Sequence, residues 1–520
     1  MKMRNVWMFL AVLMGALTWT SCSEEDPAPV VGITAISVTP EGSSVSYNAT
    51  ITGTTAVVEV DGETTDEALA NATVSAVATL GSAVYFNDEP VGAGVTADFT
   101  APVTLVAKGA DGKSVAYTVT VERVFGNVGM TIKSSRFNGF PANLVDYDVT
   151  YFKGKFYAIT ASTTTEGEVV TEHYDLFSSV DGVNWVKVDY NTITEGVDLP
   201  NKVSAEGEVL EEKQESYVVG GEGARLLVHN DRMYVLGGAR LKGQDIYGNA
   251  PEVMDWGWGP LVSIDNWRSF STADGETFKC DTVGMSVTRA GEPWYSSSLI
   301  GACLNVASFK GKMYIQGGYN ATFGMWQMGR RYATTENGTA WEVFSTVGVE
   351  EGVEPKVEMR AGNAFFEFNG KLWCLGGYEN FLDATMMRNT IWSSEDGIAW
   401  KQEAEFPVDA EGNQVEGLDG IYDMTVVPAD GVVYLFGGAT LNANGGNVSN
   451  KIFKSTDCLV WEEVADVPAA FSARRHTVGV AQGNEAWLFG GISDVTNDTY
   501  GYPLAEPFTP VTETWVKKLD

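Results

Sequence analysis

Phe365-Phe366-Glu367-Phe368-Asn369-Gly370-Lys371-Leu372-Trp373-Cys374-Leu375-Gly376-Gly377, followed by Asn389-Thr390-Ile391-Trp392-Ser393-Ser394-Glu395-Asp396-Gly397-Ile398-Ala399-Trp400, is the stretch whose reading decides the fold. It spells four short strands. Ala364 to Phe368 leads through an Asn-Gly turn into Lys371 to Gly377, and Asn389 to Ser394 leads through Asp396-Gly397 into Ala399 to Glu403. Asn-Gly and Asp-Gly are strong hairpin signals because both central residues of a type I′ turn need positive φ. A lone four-stranded meander has two bare edges and a thin core, so it has to be repeated to be stable.

The second strand does recur: Lys155 to Ile159, Met233 to Gly238, Met313 to Gly318, Leu372 to Gly377, Val433 to Gly438 and Ala486 to Gly491. From the second copy on, each ends in a glycine pair, beginning at positions 237, 317, 376, 437 and 490, a period suited to propeller blades with variable loops. The turn before the fourth strand recurs as Asp181-Gly182, Asp274-Gly275, Asn337-Gly338, Asp396-Gly397 and Asp457-Cys458, each followed by Trp or Phe. The first copy has Ala158-Ile159-Thr160-Ala161 where a glycine pair is expected, and the sixth has a single further strand, Thr512 to Lys518, before the chain ends. Met130 to Ser135 reads as a fourth strand out of place and is expected to close the ring against that C-terminal strand, removing the open edges. This strand-and-glycine-pair pattern resembles the Kelch repeat. The resemblance implies an all-β chain in which residues 126–520 form a six-bladed propeller akin in fold to galactose oxidase.

The 520 residues, 44% hydrophobic and 11% aromatic, supply ample cores. Sixty-eight acidic against 34 basic residues give a formal charge of −34, which repels nucleic acid and anionic lipid. Lys2 and Arg4 followed by the apolar run Val6 to Leu17 read as a secretory signal, too short to span a membrane. Leu17 to Cys22 resembles a bacterial lipoprotein signal over residues 1–21, with Cys22 the lipidated residue. Ser23-Glu24-Glu25-Asp26, within a tether over residues 22–31, resembles the acidic tag of Bacteroidota surface lipoproteins. The lipid is then the sole membrane attachment, and the outer membrane, facing the exterior, is the expected location. Residues 32–124, rich in Val, Thr and Ala, carry alternating segments such as Ala35 to Val38, Tyr47 to Thr52 and Ser114 to Val121. They resemble an immunoglobulin-like or cadherin-like β-sandwich and read as a spacer.

Two sets of side chains could carry function. Tyr157, Tyr234, Tyr314, Trp373, Tyr434 and Trp487 recur in register and belong to the core. Trp256, Trp258, Trp294, Tyr295 and Trp326 do not recur and fall in long loops, where aromatic faces beside polar groups suit stacking on sugar rings. Arg225, Arg360 and Arg475 each stand just before an innermost strand and are expected at one mouth of the channel, with Arg330 and Arg388 able to join them from the loops. Guanidinium groups suit a carboxylate or sulfate.

The three histidines, His173, His229 and His476, do not gather into the copper site of galactose oxidase. The Ser-x-Asp-Gly turns resemble sialidase Asp-boxes, which are structural. A sialic-acid mutarotase is a further Kelch propeller enzyme, with Glu358 and Arg360 available for its acid and arginine roles. The cysteines show no metal spacing, a Cys280 to Cys303 disulfide is open, and no cofactor or metal is expected. The expectation is a non-catalytic lipoprotein that binds a glycan or a partner protein; a carbohydrate-active enzyme, or a structural subunit of an outer-membrane complex, is the alternative.

Overall fold

The computed structural model describes residues 30–167, 169–193, 202–203, 209–211, 217–238, 269–281, 305–317, 319–322, 325–328, 331–345, 360–378, 387–405, 409, 411, 415, 418–442, 445–493 and 510–519. The chain is all-β, with one five-residue helix among the described residues, Asp66–Ala70, capped by the Thr65 hydroxyl. Six antiparallel four-stranded meanders follow one another. The first joins Leu144–Phe152, Lys155–Glu166, Val169–Ser179 and Val186–Lys187. The second, third, fourth and fifth begin with Arg225–His229, Asn305–Phe309, Ala364–Phe368 and Thr425–Ala429. The sixth consists of Val478–Gln482, Glu485–Ile492, Pro510–Lys518 and, from the far end of the sequence, Met130–Ser134. Each meander's first strand packs against the first strands of its two neighbours, and the sixth returns to the first, so these strands form a closed ring around a channel.

Local chemistry accounts for the meanders. The turn between first and second strands has left-handed central residues at Lys153-Gly154, Asn230-Asp231, Lys310-Gly311 and Asn369-Gly370, as type I′ geometry requires. The turn before the fourth strand is tied by one carboxylate oxygen accepting two backbone N–H groups: Asp274 from Glu276 and Thr277, Asp396 from Ile398 and Ala399, Asp457 from Leu459 and Val460. The six recurring aromatics are buried, each 2 to 7% exposed. At about 25 cal/mol per Å², burying a ring of roughly 150–250 Å² contributes on the order of 4–6 kcal/mol.

The first of each paired glycines has a specific reason to lack a side chain. A Cβ on Gly317, Gly376 or Gly437 would lie 2.2, 2.7 or 2.3 Å from the carbonyl oxygen of Arg360, Ile421 or Arg474, which belong to the segment leading into the next meander. The glycines therefore let each lead-in segment pass close to the channel.

The Met130–Ser134 strand closes the ring as expected, with Thr131 opposite Val516 and Ile132 opposite Trp515. Its other edge is also occupied. Ser114–Phe125, the last strand of the N-terminal module, runs on past Val121 and pairs with it, Met130 opposite Phe125 and Ile132 opposite Arg123. The N-terminal module, with its own core of Ile36, Val58, Val74, Leu105 and Val119, thus shares one continuous sheet with the sixth meander. Phe125 stacks on Trp515 at 5.7 Å, Arg123 pairs with Asp66 and donates to Ser135, and Lys133 pairs with Glu122 at 2.8 Å. A spacer hung on a linker would have no such seam.

Candidate functional site

The lead-in segments share an unusual backbone. Two residues before the first strand of the second, fourth, fifth and sixth meanders stand Gly223, Gly362, Asp423 and His476, all left-handed, with φ of 73°, 61°, 50° and 55°. Glycine adopts this conformation freely, whereas Asp and His pay on the order of 1 kcal/mol, a strain that concentrates at functional sites. Hydrogen bonds join these positions around the channel. Asp423 N donates to Gly362 O, His476 N donates to Asp423 O, the His476 ring meets Asp146 at 3.4 Å, and Gly223 N donates to Asp146 at 2.8 Å. The strand ends of all six meanders converge inside this belt on a cavity of about 740 Å³, within the roughly 300–1,000 Å³ typical of small-molecule sites.

Its mouth is charged but internally balanced. Arg225 pairs with Asp146 at 3.3 Å and Arg475 with Asp423 at 2.7 Å, each of the four being 6 to 15% exposed. Asp146 and Asp148, two apart on one strand, share its channel face. Burial would raise Asp146, but Arg225, His476 and the Gly223 N–H more than offset it and hold the carboxyl down at about 2. Burial pushes Asp148 up to about 6, Arg225 and the Leu226 N–H pulling weakly against it and ionised Asp146 reinforcing it. Tyr378 and Tyr422 meet edge to face at 5.8 Å on the wall, and burial raises the Tyr422 hydroxyl, which has no hydrogen-bond partner among the described residues.

The sequence-predicted residues distribute unevenly. Arg225 and Arg475 line the channel. Arg360 does not: it is fully buried, with its guanidinium donating to Gly376 O, Thr390 O and the Thr390 hydroxyl. Counting from the left-handed residue explains the difference. Arg360 stands two before Gly362 and so matches Arg474, also buried, whereas Arg475 stands one before His476 and matches Tyr422. Arg225 stands two after Gly223. The three arginines thus occupy three different positions, and the arginine cluster expected from sequence is corrected to two separate ion pairs. Arg388 is half-buried beside the glycine pair of the fourth meander, its backbone N–H donating to Gly377 O, outside the channel lining. Trp326 lies in Met325–Met328, opposite Ala321. Cys22, Trp256, Trp258, Trp294, Tyr295, Arg330, Glu358 and Cys303 lie outside the described residues, while Cys280 is buried.

Sequence reasoning missed Asp146, Asp148, Tyr422 and Asp423. A signal existed in the alignment of Asp423 and His476 with the lead-in glycines, since a polar residue in a glycine's place implies a retained strain. The histidines are spread apart: His476 is at the channel mouth, His173 on the long hairpin against Thr164, and His229 against Ser308. Among the described residues no group of three or more His, Cys, Asp and Glu could hold a metal ion.

No protein-family model matches the chain, and no curated protein matches it. Among solved structures, the chain is similar to that of YjhT, with 11% identity over 73% of this chain and 96% of that chain and a TM-score of 0.41.

Proposed function

We propose that this chain is a surface lipoprotein whose six-bladed, Kelch-type propeller binds a neutral glycan at its channel mouth without transforming it. The observation that carries this reading is the balance of charge inside an open cavity. Both guanidinium groups at the mouth already face carboxylates, so an anionic ligand would have to displace Asp146 or Asp423. What the walls leave to a ligand is the half-buried rings of Tyr147 and Tyr151 and hydrogen-bonding edges, which suit a hydroxyl-rich, uncharged molecule. Lipidation at Cys22 and exposure at the outer membrane complete the proposal and rest on the sequence alone.

A thermal-shift screen of residues 30–520 against neutral and acidic glycans tests it. At 100 times Kd, a ligand adds roughly 2.7 kcal/mol and raises Tm by at least about a degree. Hits confined to neutral sugars and lost in Tyr151→Ala support the reading; a blank panel on a cooperatively melting protein removes it in favour of a protein partner. One observation favours a second reading as a carbohydrate-active enzyme. Asp146 and Asp148 stand side by side with their affinities for a proton pushed in opposite directions, the pattern that acid–base chemistry uses. Turnover of any bound sugar, abolished in Asp148→Asn, would establish it.

A further inference from the structure

The ring has one seam unlike the others. In the fourth and fifth meanders the second glycine of the pair approaches the next lead-in, and the backbone there supplies an acceptor: Gly377 N donates to Ile421 O and Gly438 N to Arg474 O. Between the sixth and first meanders the chain runs from the closing strand through residues 135–143, and the second glycine there meets a side chain instead of a backbone carbonyl. Tyr147 takes its place. Its hydroxyl accepts from Gly491 N at 3.0 Å and donates to Phe489 O at 2.9 Å, and a Cβ on Gly490 would lie 2.1 Å from that oxygen.

Beside this contact, lined by the lead-in itself, lies a second cavity of about 640 Å³. The two cavities share Val145, Asp146, Tyr147, His476 and Ile492, so the Asp146–His476 pair stands where they meet. The second cavity presents the half-buried rings of Phe137 and Phe140, 5.0 Å apart, and the polar Asn143, Thr163 and Thr165. Aromatic faces bounded by amide and hydroxyl groups repeat the chemistry of the channel mouth.

We propose that the channel mouth and the seam cavity are two lobes of one site, and that its ligand is a linear oligosaccharide with adjacent rings in the two lobes and the Asp146–His476 pair at the linkage. This inference rests on the glycan reading above and narrows it. Each cavity alone has the size of a complete small-molecule site, so a single ring would leave one of them unused.

The test is calorimetric titration of the full chain with mono-, di- and trisaccharides of the gluco, xylo, manno and N-acetylglucosamine series. In the series that binds, the disaccharide should bind at least about tenfold more tightly than the monosaccharide, or ~1.4 kcal/mol. Asn143→Trp, which fills the seam cavity from an exposed position, should abolish that advantage and bring disaccharide affinity down to that of the monosaccharide. Thr165→Trp, on the exposed hairpin, does the same from the opposite wall should the first variant not fold. Equal binding of mono- and disaccharide, or a uniform loss for both in the tryptophan variants, overturns the two-lobed site while leaving glycan binding intact. No binding in any series removes the glycan reading and this inference with it.

Discussion

Replacing Asp148 by asparagine keeps an oxygen that can accept from Leu226 N at 2.7 Å and removes a charge that burial disfavours. The folded carboxyl is raised from the usual 3.8 to about 6, so the native state holds its proton more tightly than the unfolded chain. The stabilisation from that proton is complete below 3.8 and is lost as pH rises through about 6. At about 1.4 kcal/mol per pH unit the span corresponds to roughly 3 kcal/mol, and screening by water in the open channel reduces it to about 1–2 kcal/mol. Urea unfolding of wild type and Asp148→Asn, followed by tryptophan fluorescence between pH 4 and 7.5, isolates the effect, because all other titrating groups are common to both. The variant should gain about 1–2 kcal/mol on the wild type across that window. A gap that stays constant would mean that Arg225 neutralises the burial penalty, and a gap that moves the other way would mean that Asp148 is an ion-pair carboxylate. Either result refutes the reading that burial pushes Asp148 up while its neighbours hold Asp146 down.

Removing Asp423 by Asp423→Ala leaves Arg475 buried without its carboxylate and should cost about 3 kcal/mol or more in denaturant unfolding, against a smaller loss in Asp423→Asn. Gly490→Ala puts a methyl group against the Tyr147 hydroxyl at a φ of 57°, so Tm should fall by several degrees and any oligosaccharide affinity with it. Tyr422→Phe removes a buried hydroxyl that has no partner among the described residues, and Tm should stay within about a degree or rise. Trp515→Ala empties a fully buried site shared by the closing strand and the N-terminal module, and a loss of about 3–5 kcal/mol is expected. Were the module a detached spacer, deleting residues 30–125 would leave Tm untouched; the shared sheet requires a fall of several degrees, readable by calorimetry.

The ring of meanders was legible because its determinants are local. An Asn369-Gly370 turn, a carboxylate two or three residues from the amides it binds, and a glycine where the next chain segment passes all leave residue-type marks at fixed spacing. Even the closing strand could be read, since Met130 to Ser135 resembles fourth strands elsewhere and the sixth meander lacks one. The join to the N-terminal module could not. Val121 to Phe125 simply continues a strand-forming run, and nothing in its composition says that its free edge is taken by Met130–Ser134.

The site was legible only in outline, because a one-residue offset decides whether a side chain reaches the channel. Arg360 and Arg475 each precede an inner strand, yet one is held inside its own meander and the other faces the mouth. The feature that would have separated them is the left-handed residue that follows, Gly362 in one case and His476 in the other. Where geometry asks for glycine and the chain supplies histidine or aspartate, the position has been kept for its side chain at the expense of its backbone. Asp423 and His476 both meet that description, and both belong to the belt that ends at Asp146. On the binding proposal above, the mark of the site is a missing glycine rather than an added arginine. Asp423→Gly and His476→Gly test this directly: each should relieve backbone strain of about 1 kcal/mol, partly masking the loss of its side-chain contact with Arg475 or Asp146, while abolishing ligand binding. Binding that survives both changes would show that the belt serves the fold alone.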